Sequence, residues 1–371
     1  MKILHVYKDY FPVLGGIENH VRLLAERQAA AGHEVTALVA NLTGHETVVE
    51  QRRGVRVIKA ARFATVASTP LSLALPRLLA RERPDITHLH FPYPVGEMSQ
   101  YFFGRGRPTV ISYHSDIVRQ ANILRYYRPL MERVLTQAER ILVATPSYLE
   151  TSTTLQRHRR KCLVIPYGIE RRRFIEADRE AGEALRARYG GGPLILFVGV
   201  LRYYKGLQYL LGAMQQIAAR LLIVGEGPMG QHLRDQARAL GLGDKAVFVG
   251  AVSDEDLPAY YRAADLFVLP ASERSEAFGL VQVEAMSAGL PVVCTDLGTG
   301  TSYVNRHNES GLVVPPRDQQ TLADAINALL RDPALRARLA AGALARSELF
   351  DADRMVADIE AVYRQVLGGE I

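Results

Sequence analysis

The first half of the chain alternates short apolar runs with amphipathic stretches. Two buried strands are predicted by KILHVY at 2–7 and HEVTALVA at 33–40, and a helix between them by IENHVRLLAERQAAAG at 17–32. Later strands of the same kind are predicted by DITHLH at 85–90 and TVISYH at 109–114. Strands that alternate with helices are typical of a parallel, doubly wound α/β sheet.

The second half starts this pattern again. Strands are predicted by PLILFVGV at 193–200 and ARLLIVGEG at 219–227, and helices by GLQYLLGAMQQIA at 206–218 and GQHLRDQARALG at 230–241. We therefore predict an α/β protein with two Rossmann-like domains. Their parallel sheets should face each other across a cleft, which is the expected ligand site.

The length of the chain fits two domains, because 371 residues exceed the usual size of one. The predicted N-terminal domain covers residues 1–170, and the predicted C-terminal domain covers residues 171–351. A last helix, at about 352–367, is expected to cross back, so that residues 352–371 belong to the N-terminal domain. With 48% apolar and 23% charged residues, the composition excludes a disordered chain.

Targeting signals and disulfides are not indicated. The first apolar run is broken by His5, Lys8 and Asp9, which excludes a signal peptide, and no stretch approaches the roughly 18–20 apolar residues of a membrane span. The two cysteines, Cys162 and Cys294, lie far apart and predict neither a disulfide framework nor a zinc site. A reducing, cytoplasmic setting is expected.

Positive charge is concentrated in the first half. Residues 1–165 carry 23 Lys and Arg against 13 Asp and Glu, whereas residues 166–371 carry 22 against 26. Basic clusters occur at 157–161 (RHRRK) and 171–173 (RRR). This asymmetry indicates an anionic partner, which can be nucleic acid, phospholipid or a phosphorylated substrate, or else a solvated basic face.

A glycine-rich pattern and two aspartate pairs are weak signals of nucleotide or metal binding. GEGPMG at 225–230 matches the GxGxxG spacing of dinucleotide folds, but Glu226 would repel phosphates and Pro228 lacks an N–H, so a tight turn is the better interpretation. The Asp pairs at 254–256 and 351–353 precede helical stretches, where acidic residues complement the helix dipole. We therefore predict no metal and no cofactor.

Three turns after predicted strands carry stronger candidates. Gly15 and Gly16 precede the first helix and would let an anion approach backbone amides. His114 lies just past the end of a strand, where doubly wound sheets bind ligands, although a lone histidine there can also be structural. Arg202 and Lys205 follow a strand in the second half, at a helix start where cations are unfavourable unless they bind an anion.

Two carboxylates flank an apolar stretch in SEAFGLVQVEAM at 275–286. Glu276 is predicted to lie in the loop before a helix, and Glu284 roughly two turns inside that helix. A buried carboxylate needs a partner, and vicinal sugar hydroxyls are a natural one, since a carboxylate accepts two O–H bonds. We therefore expect a ligand to supply the partners of both acids.

The pattern Glu276-x7-Glu284 resembles the E-x7-E motif of retaining GT-B glycosyltransferases of family 4, also called group 1. The resemblance runs along nearly the whole chain through GGIENHV, YHSD, YKGL, VGEGP, AADLFVLPA and GLVVPP. Within the family the chain is similar to bacterial mannosyl- and rhamnosyltransferases of surface-polysaccharide assembly, through YHSDIVRQ and ERSEAFGLVQVEAM.

This resemblance implies a role for each matched residue. Glu284 would hold the ribose hydroxyls and Glu276 the transferred sugar. Lys205 would neutralise the diphosphate together with the amide of Gly16, and His114 would bind the donor sugar or the reacting centre. The remaining implied contacts are made by the backbone at Val252, which would touch the base, and by the amides of Phe278, Gly279 and Leu280 near the sugar.

The implied reaction is metal-independent hexosyl transfer, with retention, from a nucleotide sugar, first of all GDP-mannose. The expected acceptor is a saccharide, usually lipid-linked, so the basic stretch from Arg119 to Lys161 could dock a protein at the cytoplasmic face of an anionic membrane. The chain departs from the family pattern at one position. Many members of the family have an arginine directly after the strand glycine, five residues before the lysine. That position is Val200 here, and the nearest arginine is Arg202.

Three other functions stay open at this point. A nucleotide-sugar epimerase on the same scaffold would need its own catalytic carboxylates, and a nucleotide-sugar sensor would bind the donor without turnover. Nucleic-acid binding is suggested by the basic charge, but no recognisable binding motif accompanies it, and we expect no nucleic-acid partner.

Overall fold

The computed structural model describes residues 1–11, 15–42, 44–66, 69–104, 106–116 and 121–368, with the backbone alone for residues 121–126. The chain divides into two compact units. Unit 1 comprises Met1–Gly168 and Ala352–Ile371, and unit 2 comprises Ile169–Asp351. The predicted α/β class with two Rossmann-like domains is confirmed, and the C-terminal helix belongs to unit 1 as expected.

The strands, in chain order, are β1 (Lys2–Val6), β2 (Glu34–Ala40), β3 (Val48–Arg52), β4 (Val55–Ala60), β5 (Ala64–Val66), β6 (Thr69–Leu71), β7 (Ile86–Phe91), β8 (Thr109–Tyr113), β9 (Arg140–Val143), β10 (Cys162–Val164), β11 (Leu194–Val198), β12 (Arg220–Val224), β13 (Ala246–Gly250), β14 (Leu266–Leu269), β15 (Val292–Thr295) and β16 (Gly311–Val314).

The α-helices are α1 (Gly16–Ala30), α2 (Ala74–Arg81), α3 (Pro94–Phe103), α4 (Ala121–Gln137), α5 (Pro146–Thr151), α6 (Thr153–Arg157), α7 (Arg172–Ile175), α8 (Arg179–Arg188), α9 (Leu207–Ala213), α10 (Gly230–Ala239), α11 (Leu257–Ala263), α12 (Leu280–Ser287), α13 (Thr301–Val304), α14 (Gln319–Arg331), α15 (Pro333–Ser347) and α16 (Ala352–Val366).

The main sheet of unit 1 has the order β10-β9-β8-β7-β1-β2-β4-β3, and its pairs are parallel except for the hairpin of β3 and β4. The chain starts at β1, moves outward through β2, and then returns to place β7 on the other side of β1. Ligands of open α/β sheets bind at such a reversal, beyond the carboxyl ends of the strands. In unit 1 this point lies after Val6 and Phe91.

The sheet of unit 2 has the order β13-β12-β11-β14-β15-β16, with every pair parallel. Counted within the unit, this is the 3-2-1-4-5-6 order of the Rossmann fold. Its reversal lies between β11 and β14, beyond Val198 and Leu269. Both strands are apolar and fully buried, as central strands of a parallel sheet must be.

Helix α16 returns to unit 1 and packs on α1. Its apolar face, with Met355, Ile359 and Tyr363, is buried, and Arg27 of α1 pairs with Asp353 at 2.8 Å. The Tyr363 hydroxyl reaches Nδ1 of His88 on β7 at 2.5 Å. The amphipathic pattern of the last helix thus covers the sheet of the first unit. In the described part of the chain, no helix has the length and hydropathy needed to cross a bilayer.

Candidate functional site

The backbone conformation of Gly206 places Lys205 at the reversal point of the unit 2 sheet. After β11 the chain makes a 3-10 turn at Tyr203–Lys205, and Gly206 follows with φ of 70°. A Cβ on Gly206 would lie 1.8 Å from the carbonyl oxygen of Pro270, so only glycine allows this contact with the end of β14. The Tyr204 carbonyl also accepts from the Ser272 amide at 2.8 Å.

Lys205 and Glu276 form a buried ion pair at this point. Lys205 Nζ lies 2.6 Å from Glu276 Oε2, and the two side chains are only 12% and 10% exposed. Burial alone would lower the pKa of Lys205, but the attraction of Glu276 outweighs it, and the pKa is raised. The lysine is therefore a permanently charged group, suited to a phosphate oxygen, and the acid beside it is suited to hydroxyl groups.

The N-terminus of α12 lies directly after Glu276. Gly279 takes a left-handed conformation with φ of 78°, and an added Cβ would come within 2.7 Å of the Leu269 side chain. No side chain caps this helix end, so its first-turn amides, beginning at Leu280, are directed at whatever binds there. Phe278 is buried and meets the Phe350 ring edge-on at a centroid distance of 5.8 Å.

Glu284 is the fifth residue of α12, so it lies about one turn inside the helix rather than two. Its Oε2 accepts a hydrogen bond from the Tyr261 hydroxyl at 2.6 Å. Burial raises the pKa of Glu284, while the bond from Tyr261 opposes that change. The expectation that only a ligand would partner the two acids is therefore wrong, because Lys205 and Tyr261 already do so.

The other predicted residues of unit 2, Arg202 and Val252, are not members of this pair. Arg202 is exposed, and its amide donates to the carbonyl of Val200, which is itself 44% exposed. Arg202 lies close enough to Tyr204 to lower the pKa of that phenol electrostatically, against the raising effect of burial. Val252 is half-buried in the segment after β13. The arginine thus stands at the rim of the turn and not in the buried pair.

The GxGxxG pattern has a packing explanation. A Cβ on Gly225 would lie 2.2 Å from the Gly199 carbonyl oxygen, and one on Gly227 would lie 2.6 Å from the Leu201 amide. The Leu201 amide donates to the Glu226 carbonyl at 2.9 Å. These glycines therefore allow the loops after β11 and β12 to touch, which supports the turn that carries Lys205.

In unit 1, Gly15 and Gly16 begin helix α1. Gly15 is extended and precedes the helix, and a Cβ on Gly16 would meet no atom of the described residues within 4 Å. Glu18 in the first turn pairs with Lys8 at 3.6 Å. Residues 12–14, directly before this turn, lie outside the described residues.

His114 belongs to a row of buried histidines. Its Nε2 lies 3.1 Å from Nδ1 of His90, and its Nδ1 lies 2.6 Å from the Tyr167 hydroxyl. His90 Nε2 in turn lies 3.1 Å from Nδ1 of His5, whose Nε2 lies 2.8 Å from Oε1 of Gln28. His114 is therefore held through both ring nitrogens rather than projecting alone from the sheet.

Sequence reasoning missed the other members of this cluster. Parallel pairing sets His5 beside His88 and His90 beside Ser112, although these residues are far apart along the chain. The available signal was a histidine near the carboxyl end of β1, two on β7 and one just after β8, all on strands predicted for the same parallel sheet. His20 of α1 lies against the same cluster, with its ring centroid 5.3 Å from that of His114.

Burial keeps these histidines neutral. Desolvation lowers the pKa of His5 to about 4 and that of His20 to about 3. It also lowers the pKa values of His88, His90 and His114 well below the ordinary value. An imidazole that stays neutral is a hydrogen-bonding group with one donor and one acceptor.

Two sets of three histidines have a possible metal-ligand spacing: His5, His88 and His90, and His20, His90 and His114. In each set the nitrogen atoms lie within 4.8 Å of one another. The ring nitrogens of all but His20 are already engaged in hydrogen bonds, to one another, Gln28, Ser112, Tyr167 and Tyr363. Hydrogen bonding therefore accounts for the arrangement without coordination.

Comparison with known proteins defines the family. Residues 178–346 match the model described as glycosyl transferases group 1, and residues 14–173 match glycosyltransferase family 4. The chain is 39% identical to D-rhamnosyltransferase WbpZ of Pseudomonas aeruginosa, over 95% of this chain and 93% of the relative. It is 36% identical to O-antigen chain mannosyltransferase C of Escherichia coli, over 99% of each.

Solved structures agree at the level of the fold. Sucrose-phosphate synthase from Thermosynechococcus elongatus superposes with a TM-score of 0.81 at 25% identity, over 99% of each chain. HepE of Anabaena, in complex with UDP, gives a TM-score of 0.79 at 22% identity, over 98% of this chain and 100% of its own. The chain belongs to the group 1, or family 4, glycosyltransferases, and it is a glycosyltransferase of the GT-B fold.

The buried histidines predict an acid-labile unit 1. Because their pKa values are lower in the folded than in the unfolded chain, the unfolded chain binds more protons, and the free energy of unfolding falls as the pH falls below 6.5. Each histidine contributes up to about 1.4 kcal/mol per pH unit. Glu97, whose pKa burial raises to about 8, and Asp9, whose pKa burial raises to about 6, act in the opposite direction but are two groups of unit 1 against five.

Urea unfolding at several values between about pH 7 and pH 5 measures this effect, and a stability that does not fall on acidification would contradict it. His20→Leu should flatten the dependence, since it removes a buried imidazole. The control is His232→Leu, at an exposed position of unit 2, which should leave the dependence unchanged.

The buried ion pair predicts a specific double-mutant cycle. Lys205→Met leaves the Glu276 carboxylate buried without its cation, and should lower the free energy of unfolding by about 3–5 kcal/mol. Adding Glu276→Gln removes that charge and should restore a large part of the loss. Chemical denaturation of the two single variants and the double variant checks this, and additive losses would show that the pair is not coupled.

Proposed function

We propose that this glycosyltransferase moves a mannose-type hexose from GDP-mannose to a saccharide acceptor, with retention and without a metal. The observation that carries the proposal is the Lys205–Glu276 pair, set between the reversal point of the unit 2 sheet and the uncapped N-terminus of α12. A cation, a carboxylate and free amides within a few residues fit a diphosphate joined to a sugar.

Each group has a distinct task in this proposal. Lys205 and the first amides of α12 stabilise the charge that grows on the departing diphosphate, which is the task a metal ion has in other transferases. Glu276 accepts hydrogen bonds from hydroxyls of the transferred sugar, and Glu284 accepts them from the ribose. Because Tyr261 already donates to Glu284, the ribose meets a carboxylate whose orientation is fixed.

The chemical step follows from retention. The bond between the anomeric carbon and the phosphate oxygen breaks, and the acceptor oxygen forms its bond to the same face of that carbon. The acceptor proton passes to an oxygen of the leaving phosphate. In this proposal the amine of Lys205, whose raised pKa keeps it protonated, supplies the countercharge for the leaving group.

The sugar is inferred from the relatives. One is named a D-rhamnosyltransferase and another an O-antigen chain mannosyltransferase, and D-rhamnose is the 6-deoxy form of D-mannose. Both names therefore concern sugars of the same ring configuration. Mannosyl transfer in the assembly of an O-antigen type polysaccharide, with a lipid-linked saccharide as acceptor, is the assignment that this agreement supports.

Donor turnover tests the proposal. Purified chain is incubated with GDP-, UDP- and dTDP-sugars, with and without EDTA, while release of nucleoside diphosphate is followed. We expect release from GDP-mannose that EDTA leaves unchanged. Glu276→Gln should reduce it by at least about 100-fold, as loss of a group that acts in the transition state does. Loss of turnover in EDTA would contradict the metal-free step.

Glu273→Gln is the matched control for this assay. Glu273 lies three residues before Glu276 in the same loop, but it pairs with Arg317 at the surface, so its loss should leave turnover unchanged. Binding of nucleotide sugar without release, even with a saccharide acceptor added, would favour a sensor. A chain that binds none of the nucleotides would contradict the proposal as a whole.

Docking to an anionic membrane is a further part of the proposal. The described residues show which basic side chains of the stretch are engaged within the protein and which are exposed. Within the basic stretch, Arg157 and His158 pair with Glu132, and Lys161 donates to backbone carbonyls of Thr136 and Ala138. These side chains fasten the 157–161 turn to α4. Among the side chains of this stretch that the structure describes, the other exposed arginines are Arg128, Arg133, Arg159 and Arg160. Arg119 lies outside the described residues.

Liposome co-sedimentation checks this surface. The chain should bind vesicles that contain anionic lipid at physiological salt and should not bind neutral vesicles. A variant with Arg159→Gln and Arg160→Gln should bind more weakly, because each basic residue near the surface contributes about 1 kcal/mol. Equal binding to neutral and anionic vesicles would contradict an electrostatic contact.

A further inference from the structure

The histidines behind His114 form one continuous hydrogen-bonded chain. It runs from Gln28 on α1, through His5 on β1 and His90 on β7, to His114 at the end of β8, and it ends at the hydroxyl of Tyr167. Its links measure 2.8, 3.1, 3.1 and 2.6 Å in that order. All three imidazoles are at most 4% exposed, so water does not compete for these bonds.

The acceptor at one end sets the direction of the whole chain. Oε1 of Gln28 can only accept, so His5 must carry its proton on Nε2, which leaves Nδ1 of His5 as an acceptor. His90 must then donate from Nε2 and accept at Nδ1. By the same logic, His114 donates from Nε2 to His90. Each neutral ring has one proton, so this row of hydrogen bonds allows only the Nε2–H tautomer for all three histidines.

The consequence appears at the last ring. With its proton on Nε2, His114 presents a bare Nδ1, and in the structure this atom accepts from the hydroxyl of Tyr167. Burial raises the pKa of Tyr167, so the phenol keeps the proton that it donates. Neutrality of the rings is supported by desolvation, which lowers the pKa values of His5, His90 and His114.

We propose that Gln28, His5 and His90 are positioning residues that lock His114 as the Nε2–H tautomer, so that its Nδ1 is an acceptor for a sugar hydroxyl. This rests on the proposed function and on the role that the family resemblance implies for His114, which is to bind the donor sugar or the reacting centre. The hydroxyl takes the place of the Tyr167 hydroxyl, which is the same kind of donor. His114 then orients the sugar and does not protonate it.

The wild-type chain tests the tautomer directly. In protein labelled with 15N-histidine, two-bond correlations from the ring protons distinguish a protonated nitrogen from a bare one. We expect His5, His90 and His114 to be neutral at pH 7.5, with Nε2 protonated and Nδ1 bare. A proton on Nδ1 of His114 would overturn the inference, because the chain would then run in the opposite direction.

Two variants of one residue test the effect on the ligand. In His90→Asn, Oδ1 can take the place of Nδ1 and accept from His114, whereas His90→Leu offers no acceptor. His90→Leu should weaken nucleotide-sugar binding by about tenfold and His90→Asn by much less, while both bind the nucleoside diphosphate normally. Equal loss in the two variants would overturn the inference.

His20→Leu is the control, since His20 touches the rings of His90 and His114 but is not a link of the chain. It should leave the tautomer of His114 unchanged. Binding of the nucleoside diphosphate to the wild-type protein distinguishes failure of the proposed function from failure of the histidine inference. If the wild-type chain binds no nucleoside diphosphate, the proposed function fails. If it binds one but shows the opposite tautomer, only the histidine chain fails.

Discussion

A charged group can be buried only if another group compensates its charge, and the Lys205–Glu276 pair meets this condition at the reversal point of the unit 2 sheet. The surrounding backbone is arranged to make the pair possible. Gly206 brings the turn after β11 against the end of β14, and Gly225 and Gly227 let the loop after β12 support that turn. Left-handed Gly279 then begins α12 directly behind the acid. The glycines of this region therefore serve the placement of two charges.

Unit 1 accommodates its row of buried histidines in another way. Strand β7 is fully buried although Thr87, His88 and His90 interrupt its apolar residues. These histidines carry no charge that must be compensated, and they share single protons along rows of hydrogen bonds. Such a network is specific only while every ring stays neutral. The two halves of the molecule thus use opposite solutions, a fixed ion pair in one and a neutral relay in the other.

Alternating strands and helices were sufficient to predict two parallel sheets, because period and length are local properties of the chain. The partners of the candidate residues were not predictable in this way. Lys205 meets Glu276, and His5 meets His90, only after strands from distant parts of the chain take their register. A histidine within an apolar strand resembles any single buried polar residue. The glycines of GEGPMG similarly gave no sign that their neighbour would be the loop at Gly199.

The pairing of Lys205 with Glu276 has a consequence for turnover. Together the two groups are electrically neutral, so a small anion that takes the lysine must leave the carboxylate without its cation. In the proposed binding mode, a diphosphate that still carries its sugar can compensate both, since the phosphate would face the amine and the hydroxyls would face the acid. After transfer the sugar is gone and only the phosphate contact remains. Reunion of the lysine with its own acid then competes with the spent nucleotide and favours product release.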